Sequence, residues 1–243
     1  KVVINPKYKH LQPFIEALPE IFDKEGTILQ DRRNTIKSIT TEGLTLSIKR
    51  FRIPILLNRF VYTYIRKGKA NRSYNNSLKI MERGFISPEP VAYIEEFKQG
   101  LLHYSYYISL QSPFRKEIRA YFNAPLKGNE ALFRAFAHYT ARLHDAGIYH
   151  QDYSPGNILV DDQTEGYLFS LIDTNRMTFK PVSPQEGYRN FSRLFKDDAI
   201  GLFLAKEYAK ARNLDEAEAQ DRIIFYKNQF WDKVAKKDRM KAL

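Results

Sequence analysis

The chain has no cysteine, three methionines and a single tryptophan, Trp231, in 243 residues. Without a thiol it can build neither a disulfide framework nor a zinc–thiolate centre, which fits a reducing compartment. Long apolar runs are missing as well. No stretch approaches the ~20 residues that a membrane-crossing helix needs, and no signal-peptide pattern opens the chain. The first residue is Lys1 rather than Met, so a native start upstream is expected. Acid is scarce relative to base: 28 Asp and Glu stand against 39 Lys and Arg, for a net charge of +11. That imbalance calls for an anionic partner, whether nucleic acid, an acidic membrane surface or a phosphorylated glycolipid. Neither an RNA- nor a DNA-reading motif is visible, so nucleic acid is set aside. Internal repeats and low-complexity tracts are also absent.

What is present is ample material for a core. Hydrophobic residues make up 43% of the chain, with 17 Phe and 16 Tyr, enough for one large domain or two modest lobes.

The chemistry concentrates in His150-Gln-Asp152-Tyr-Ser-Pro-Gly-Asn157-Ile-Leu159, followed by Leu171-Ile-Asp173. An aspartate, an asparagine five residues on, and a second aspartate after a strand-turn-strand interval are what kinase-like phosphotransferases use for a catalytic base and two magnesium ligands. Phosphoryl transfer asks little covalent help of the protein; it needs the acceptor hydroxyl held in line and charge neutralised on the phosphates. Asp152 is therefore the expected acceptor-orienting base. Asn157 and Asp173, as hard oxygen ligands, are the expected Mg2+ ligands, and His150 is expected to pin the loop. A helix from Phe133 to Ala146, with Asn129 at its N-cap and Gly147 at its C-cap, should precede this loop. Ile158–Val160 and Tyr167–Ile172 should follow as two strands joined by the polar turn Asp161–Gly166.

Leu143-His-Asp-Ala-Gly-Ile-Tyr-His-Gln-Asp-Tyr-Ser-Pro-Gly-Asn-Ile-Leu159 and Leu171-Ile-Asp-Thr-Asn-Arg176 resemble the lipopolysaccharide kinases, which phosphorylate heptose or 3-deoxy-D-manno-octulosonic acid sugars of the bacterial core. The likeness extends through Arg33-Asn34-Thr35-Ile36-Lys37, Ser47-Ile-Lys-Arg-Phe51, Arg72-Ser-Tyr74 and Ser87-Pro-Glu-Pro-Val-Ala-Tyr93, so it covers most of residues 20 to 200. It implies an α+β, two-lobed protein-kinase-like fold: an antiparallel sheet N-lobe over 1–111 and a short, mainly helical C-lobe over 112–243. It also implies ATP and Mg2+ as cofactors, a lipopolysaccharide or other anionic sugar as acceptor, and conformational importance for Arg176. The expected place of work is cytoplasmic, peripheral at the inner face of the bacterial inner membrane.

Upstream, a short helix is expected at Pro13–Ala17, then strands at Gly26–Leu29, Asn34–Ile39 and Gly43–Lys49. A glycine-rich phosphate cover should lie across the first two, yet only Gly26 is near. In the kinase pattern Lys49, at the end of the third strand, contacts the donor phosphates. Between residues 49 and 72 there are eight basic residues and no acidic one, interleaved with Phe51, Phe60, Tyr62 and Tyr64. Helical character over Pro54–Lys67 suits an interfacial helix or an anionic-glycan contact as well as a solvated face.

The next helix, Asn71–Arg83, closed by Gly84, should carry a glutamate that holds the lysine; the family's position falls at Asn75 instead. Either Asn75 holds Lys49 by hydrogen bonds, or another acid substitutes, or activity is reduced. A hairpin over 88–97 and 101–110 should end at Ser109-Leu110, where a kinase-like chain crosses between lobes and offers backbone groups to adenine. Helices over 187–212 and 214–237 complete the expectation. The competing readings are a pseudokinase or nucleotide-binding scaffold, and a small-molecule or protein kinase of the same fold.

Overall fold

The computed structural model describes residues 1–162 and 166–242, with the side chains of 241 and 242 excepted. The polar turn expected at Asp161–Gly166 thus falls partly outside the described residues. The chain divides into two compact units: Lys1–Pro113 with Asp173–Asn175, and Phe114–Ile172 with Arg176–Leu243.

The first unit is built on a six-stranded antiparallel sheet. Its strands are β1 (Val2–Ile4), β2 (Thr27–Asp31), β3 (Thr35–Thr41), β4 (Leu44–Phe51), β5 (Pro90–Lys98) and β6 (Leu101–Leu110), in the order β1-β5-β6-β4-β3-β2. In β4 the alternation works as read: Leu46 and Ile48 are buried, and Thr45, Ser47 and Lys49 turn the other way. Two tight turns set the meander. Glu42 and Gly43 both adopt positive φ between β3 and β4, as do Gln99 and Gly100 between β5 and β6, which fixes both registers.

Helix α1 (Gln12–Ile21) closes the buried face with Ile15 and Leu18, joined by Phe22 after its end, against Leu46, Ile48 and Tyr106. It runs well past the short helix expected, because Pro19 is tolerated within it and the first residues fold into a 3-10 turn, Pro6–Leu11. Gly26 serves this packing rather than a phosphate: its φ is +84°, and a Cβ there would lie 2.5 Å from Ile39 Cγ1. Next come α2 (Leu56–Phe60), a π-turn at Val61–Ile65, and α3 (Lys69–Glu82). Gly84, at φ +79°, ends the last of these as the sequence indicated.

The second unit is mainly helical. It contains β7 (Lys116–Glu117), α4 (Arg119–Phe122), α5 (Glu130–Asp145), β8 (Ile148–His150), β9 (Ile158–Asp161), β10 (Leu168–Leu171) and β11 (Met177–Phe179). Helices α6 (Pro184–Asn190), α7 (Asp198–Arg212) and α8 (Glu216–Ala242) follow. Helix α5 buries Phe133, Phe136, Ala137 and Leu143 on one side, each fully buried phenylalanine contributing roughly 2–3 kcal/mol. Asn129 occupies the N-cap position as expected, but its side chain makes no cap bond: its amide donates to Pro125 O, and Glu130 turns back to accept from the Gly128 N–H.

The single helix expected over 187–212 is two. A 3-10 turn at Phe191–Arg193 ends the first, and Asp197 starts the second by accepting from the Ala199 and Ile200 N–H groups. The sheet-then-helices order of the sequence reading is the order observed.

Candidate active site

The loop from His150 to Asn157 is held from four directions, all within the second unit. His150 is fully buried. Its Nδ1 accepts the Asp152 N–H at 3.1 Å, so the ring proton sits on Nε2, which donates to Ile172 O at 3.2 Å. The Asn190 amide donates to His150 O at 2.9 Å, and the Gln151 N–H donates to Arg176 O at 2.8 Å. Tyr153 lies under the loop, buried, its hydroxyl 2.9 Å from Thr140 Oγ1 and its ring stacked 5.9 Å from Phe136. The expectation that His150 pins the loop matches these bonds.

Asn157 folds back onto the same loop. Its Nδ2 donates to Asp152 O at 2.8 Å, which leaves Oδ1 as the end of the amide able to serve a cation. Its own carbonyl accepts the Ile172 N–H at 3.0 Å, tying the loop to the residue just before Asp173.

The Asp152 carboxylate is 29% exposed and meets two guanidinium groups. Arg193 pairs with Oδ1 at close range, and Arg176 lies 3.5 Å from Oδ2. Nothing in the sequence points to Arg193, since no spacing links position 193 to the loop.

In the first unit, Lys49 Nζ lies 2.7 Å from Asp173 Oδ1, with the lysine side chain 13% exposed. Asp173 has φ +54°, in the left-handed region that aspartate tolerates better than most residues. Its neighbours fix it there. Thr174 Oγ1 donates to Ser73 O at 3.1 Å and lies 3.0 Å from Ser77 Oγ, the Asn76 amide donates to Thr174 O at 2.7 Å, and the Asn175 amide donates to Asp173 itself. Helix α3 therefore carries the Asp173–Asn175 segment through Ser73, Asn76 and Ser77. Tyr107 joins that cluster by donating to Ser77 Oγ, and burial pushes its phenol pKa up.

Asn75, on the same helix, donates to the carbonyl and side-chain oxygens of Asn71, at 2.8 and 3.1 Å. Of the three ways to hold Lys49 left open by the sequence, the structure has another acid in place: Asp173.

The other expected nucleotide contacts lie in the sheet. Ser109 is buried, opposite Ser47 on one side and Pro90 on the other. The Leu110 N–H donates to Glu89 O and the Gln111 N–H to Thr45 O, both at 2.9 Å, so neither of these N–H groups is open to a ligand at this strand end. The β2–β3 turn, where a glycine-rich cover would lie, instead presents exposed Arg32 and Arg33, with Thr35 Oγ1 donating to Asp31.

A family model described as the lipopolysaccharide kinase (Kdo/WaaP) family matches residues 33–211. No curated protein matches significantly. Among solved structures, WaaP in complex with acyl carrier protein is similar at a TM-score of 0.65 and 15% identity, over 94% of this chain and 98% of that one. WbdD is similar at a TM-score of 0.51 and 16% identity, over 84% of this chain and 51% of its own, so the present chain spans about half of that protein's length. At such identities the likeness concerns the fold, which is protein-kinase-like. Because the family match runs over most of the sequence and includes the His150–Asn157 loop, Lys49 and Asp173, the chain belongs to the lipopolysaccharide kinase (Kdo/WaaP) family.

Proposed function

We propose that the protein transfers the terminal phosphoryl group of ATP to a sugar hydroxyl of a bacterial lipopolysaccharide core. The observation that carries this reading is the pinned loop with Asp152 partly exposed on it, within the span of the kinase family match.

In this reading Asp152 accepts the acceptor's hydroxyl proton or orients that hydroxyl. An incoming O–H would exchange with the longer of the two ion pairs, the one to Arg176 at 3.5 Å. Lys49 takes donor phosphate oxygens, held in place until then by Asp173. The oxygen donors Asn157 and Asp173 suit Mg2+, which prefers one or two protein oxygens completed by phosphates and water. The ion, when bound, would neutralise phosphate charge. The adenine contacts are assigned to the end of β6 at Ser109 and Leu110, and Asn75 supports the phosphate side through α3. Against a non-catalytic scaffold stands the pairing of Lys49: the missing helix glutamate does not leave the lysine without an acid.

Attachment to an anionic membrane surface belongs to the same proposal. Among the described residues no helix is long and apolar enough to cross a membrane. Yet Leu56, Leu57 and Ile65 are 68, 72 and 73% exposed, with Ile55, Phe60 and Tyr64 also exposed beside them. A cluster of large apolar side chains in water marks a contact surface, and the exposed Arg66 and Lys67 next to it favour acidic lipid. Arg59 is not part of that charge. Its Nε donates to Leu102 O at 2.8 Å and its Nη2 to Lys98 O, which docks the segment on the β5–β6 hairpin.

The test is transfer of radiolabel from γ-labelled ATP to purified lipopolysaccharide core in the presence of Mg2+. Incorporation into a sugar phosphate is the expected result; label released only as inorganic phosphate would reject the sugar-kinase reading.

A further inference from the structure

Gln151 and Tyr153, the two chain neighbours of Asp152, line a cavity of about 220 Å³ that lies wholly within the second unit. Its opposite walls come from the end of α6 and from one face of α8, where Tyr226, Phe230 and Lys233 recur at helical spacing. Three cations face it: Arg189, Arg193 and Lys233. Among the described residues, none of those lining it is acidic.

The three cations are not equivalent. Arg193 is spent on Asp152, and its guanidinium is stacked 5.2 Å from the centre of the Phe230 ring. Arg189 lies over the Tyr226 ring, its Cζ 4.9 Å from the ring centre, a cation–π contact that uses the face of the guanidinium and not its N–H donors. Among the described residues neither Arg189 nor Lys233 has an acidic partner. Glu186, one helical turn before Arg189, is already held by Lys180 and by the N–H and hydroxyl of Ser183. A concave site with two uncommitted cations, a planar fork, amide side chains and aromatic walls fits a polyhydroxylated ring bearing an anionic group.

We propose that this cavity is the acceptor subsite, and that Arg189 and Lys233 bind a phosphate or carboxylate carried by the acceptor sugar. The inference rests on the kinase reading and adds to it where the acceptor lies and which group it is recognised by. Arg193 connects the two functions. It lines the cavity and pairs with the base, so an anion entering the cavity competes for Arg193 and loosens its hold on Asp152. Arg189 and Lys233 touch the acceptor away from the reacting hydroxyl, so their loss should weaken acceptor binding and leave the chemical step intact.

The probe is de-O-acylated lipopolysaccharide core oligosaccharide, used as isolated, after chemical dephosphorylation, and after carboxyl reduction. In the double variant Arg189→Gln/Lys233→Gln, KM for the intact core should rise about tenfold or more while kcat and the KM for ATP stay within about threefold. Removing one of the two anionic groups should cost the wild type the same factor and the variant little, and whichever treatment does so identifies that group as the one bound. Arg189→Lys should retain much of the wild-type KM. An unchanged KM in the folded double variant, or a wild type indifferent to both treatments, would overturn the proposal. If the wild type transfers no phosphate to the core, the kinase reading has failed separately. The cavity is then judged by calorimetry alone: binding of the core to wild type and not to the double variant supports it, and equal binding or none rejects it.

Discussion

Lys49 Nζ sits 2.7 Å from Asp173 Oδ1, and Asp173 occupies a left-handed backbone conformation fixed by Thr174 against α3. In the proposed function, the lysine that should meet phosphate is thus stored on the carboxylate that should meet the metal, and Mg-ATP would compete for both partners.

Asp173→Ala removes both the expected metal oxygen and the lysine's partner. Stabilisation of the protein by Mg-ATP in a thermal melt should fall to near the level seen with ATP and chelator. A ligand present at a hundred times its dissociation constant contributes about 2.7 kcal/mol, so the lost shift is several degrees. An Asp173→Ala protein stabilised by Mg-ATP as much as the wild type would remove the residue from the site.

Since Asp173 already pairs with Lys49, Asn75→Ala should lower kcat/KM for ATP by less than about fivefold, the loss confined to the bonds Asn75 makes to Asn71. A drop of a hundredfold would mean that Asn75 acts directly on the nucleotide.

Leu56→Ser/Leu57→Ser and Arg66→Glu/Lys67→Glu should each weaken sedimentation with vesicles containing anionic lipid. The charge pair should depend strongly on salt and the leucine pair weakly, since apolar burial is not screened and surface charge is, with about 1 kcal/mol for each cation near the membrane. Vesicle binding indifferent to both variants would dismiss the membrane contact while leaving catalysis untouched.

His144 gives a pH signature. It is buried in α5 with Nδ1 2.8 Å from the Tyr208 hydroxyl and Nε2 3.0 Å from Asn190 Oδ1, and burial pulls its pKa down to about 4. A histidine depressed on folding binds more protons in the unfolded chain. Its contribution is therefore intact above pH ~6.5 and is lost as the pH falls toward 4, at roughly 1.4 kcal/mol per unit. Stability from denaturant unfolding should drop by about 2 kcal/mol between pH 6.5 and 5, and His144→Gln should flatten that slope. Since Asn190 also donates to His150 O, acid should loosen the His150–Asn157 loop in the same range. An equal slope in both proteins would refute the assignment.

The sequence made legible those parts of the candidate site whose spacing is local. The Asp152–Asn157 interval, the strand ending in Lys49 and the helix before the loop are each set by a few consecutive residues, and the alternation of Leu46 and Ile48 or the stop at Gly84 needs nothing from elsewhere. What it hid depends on distant partners. Arg193 reaches Asp152 across 41 residues, and Arg189 shares a cavity with Lys233 from another helix. No periodicity in either segment encodes the meeting. Likewise α1 and β1 were faint because β1 is three residues long and is defined by its pairing with β5, not by its own pattern. The break of 187–212 into two helices came from the Asp197 cap, a signal present in the sequence but masked by the continuous helical content around it.

The most direct measurement is phosphate transfer by Asp152→Asn, followed by phosphorus NMR of the lipopolysaccharide core with nucleotide binding measured alongside. The variant should bind Mg-ATP within about twofold of wild type and form the sugar phosphate at least about a hundredfold more slowly, because only the acceptor-orienting carboxylate has gone. Transfer at the wild-type rate would show that Asp152 is not the base and would contradict the account at its centre.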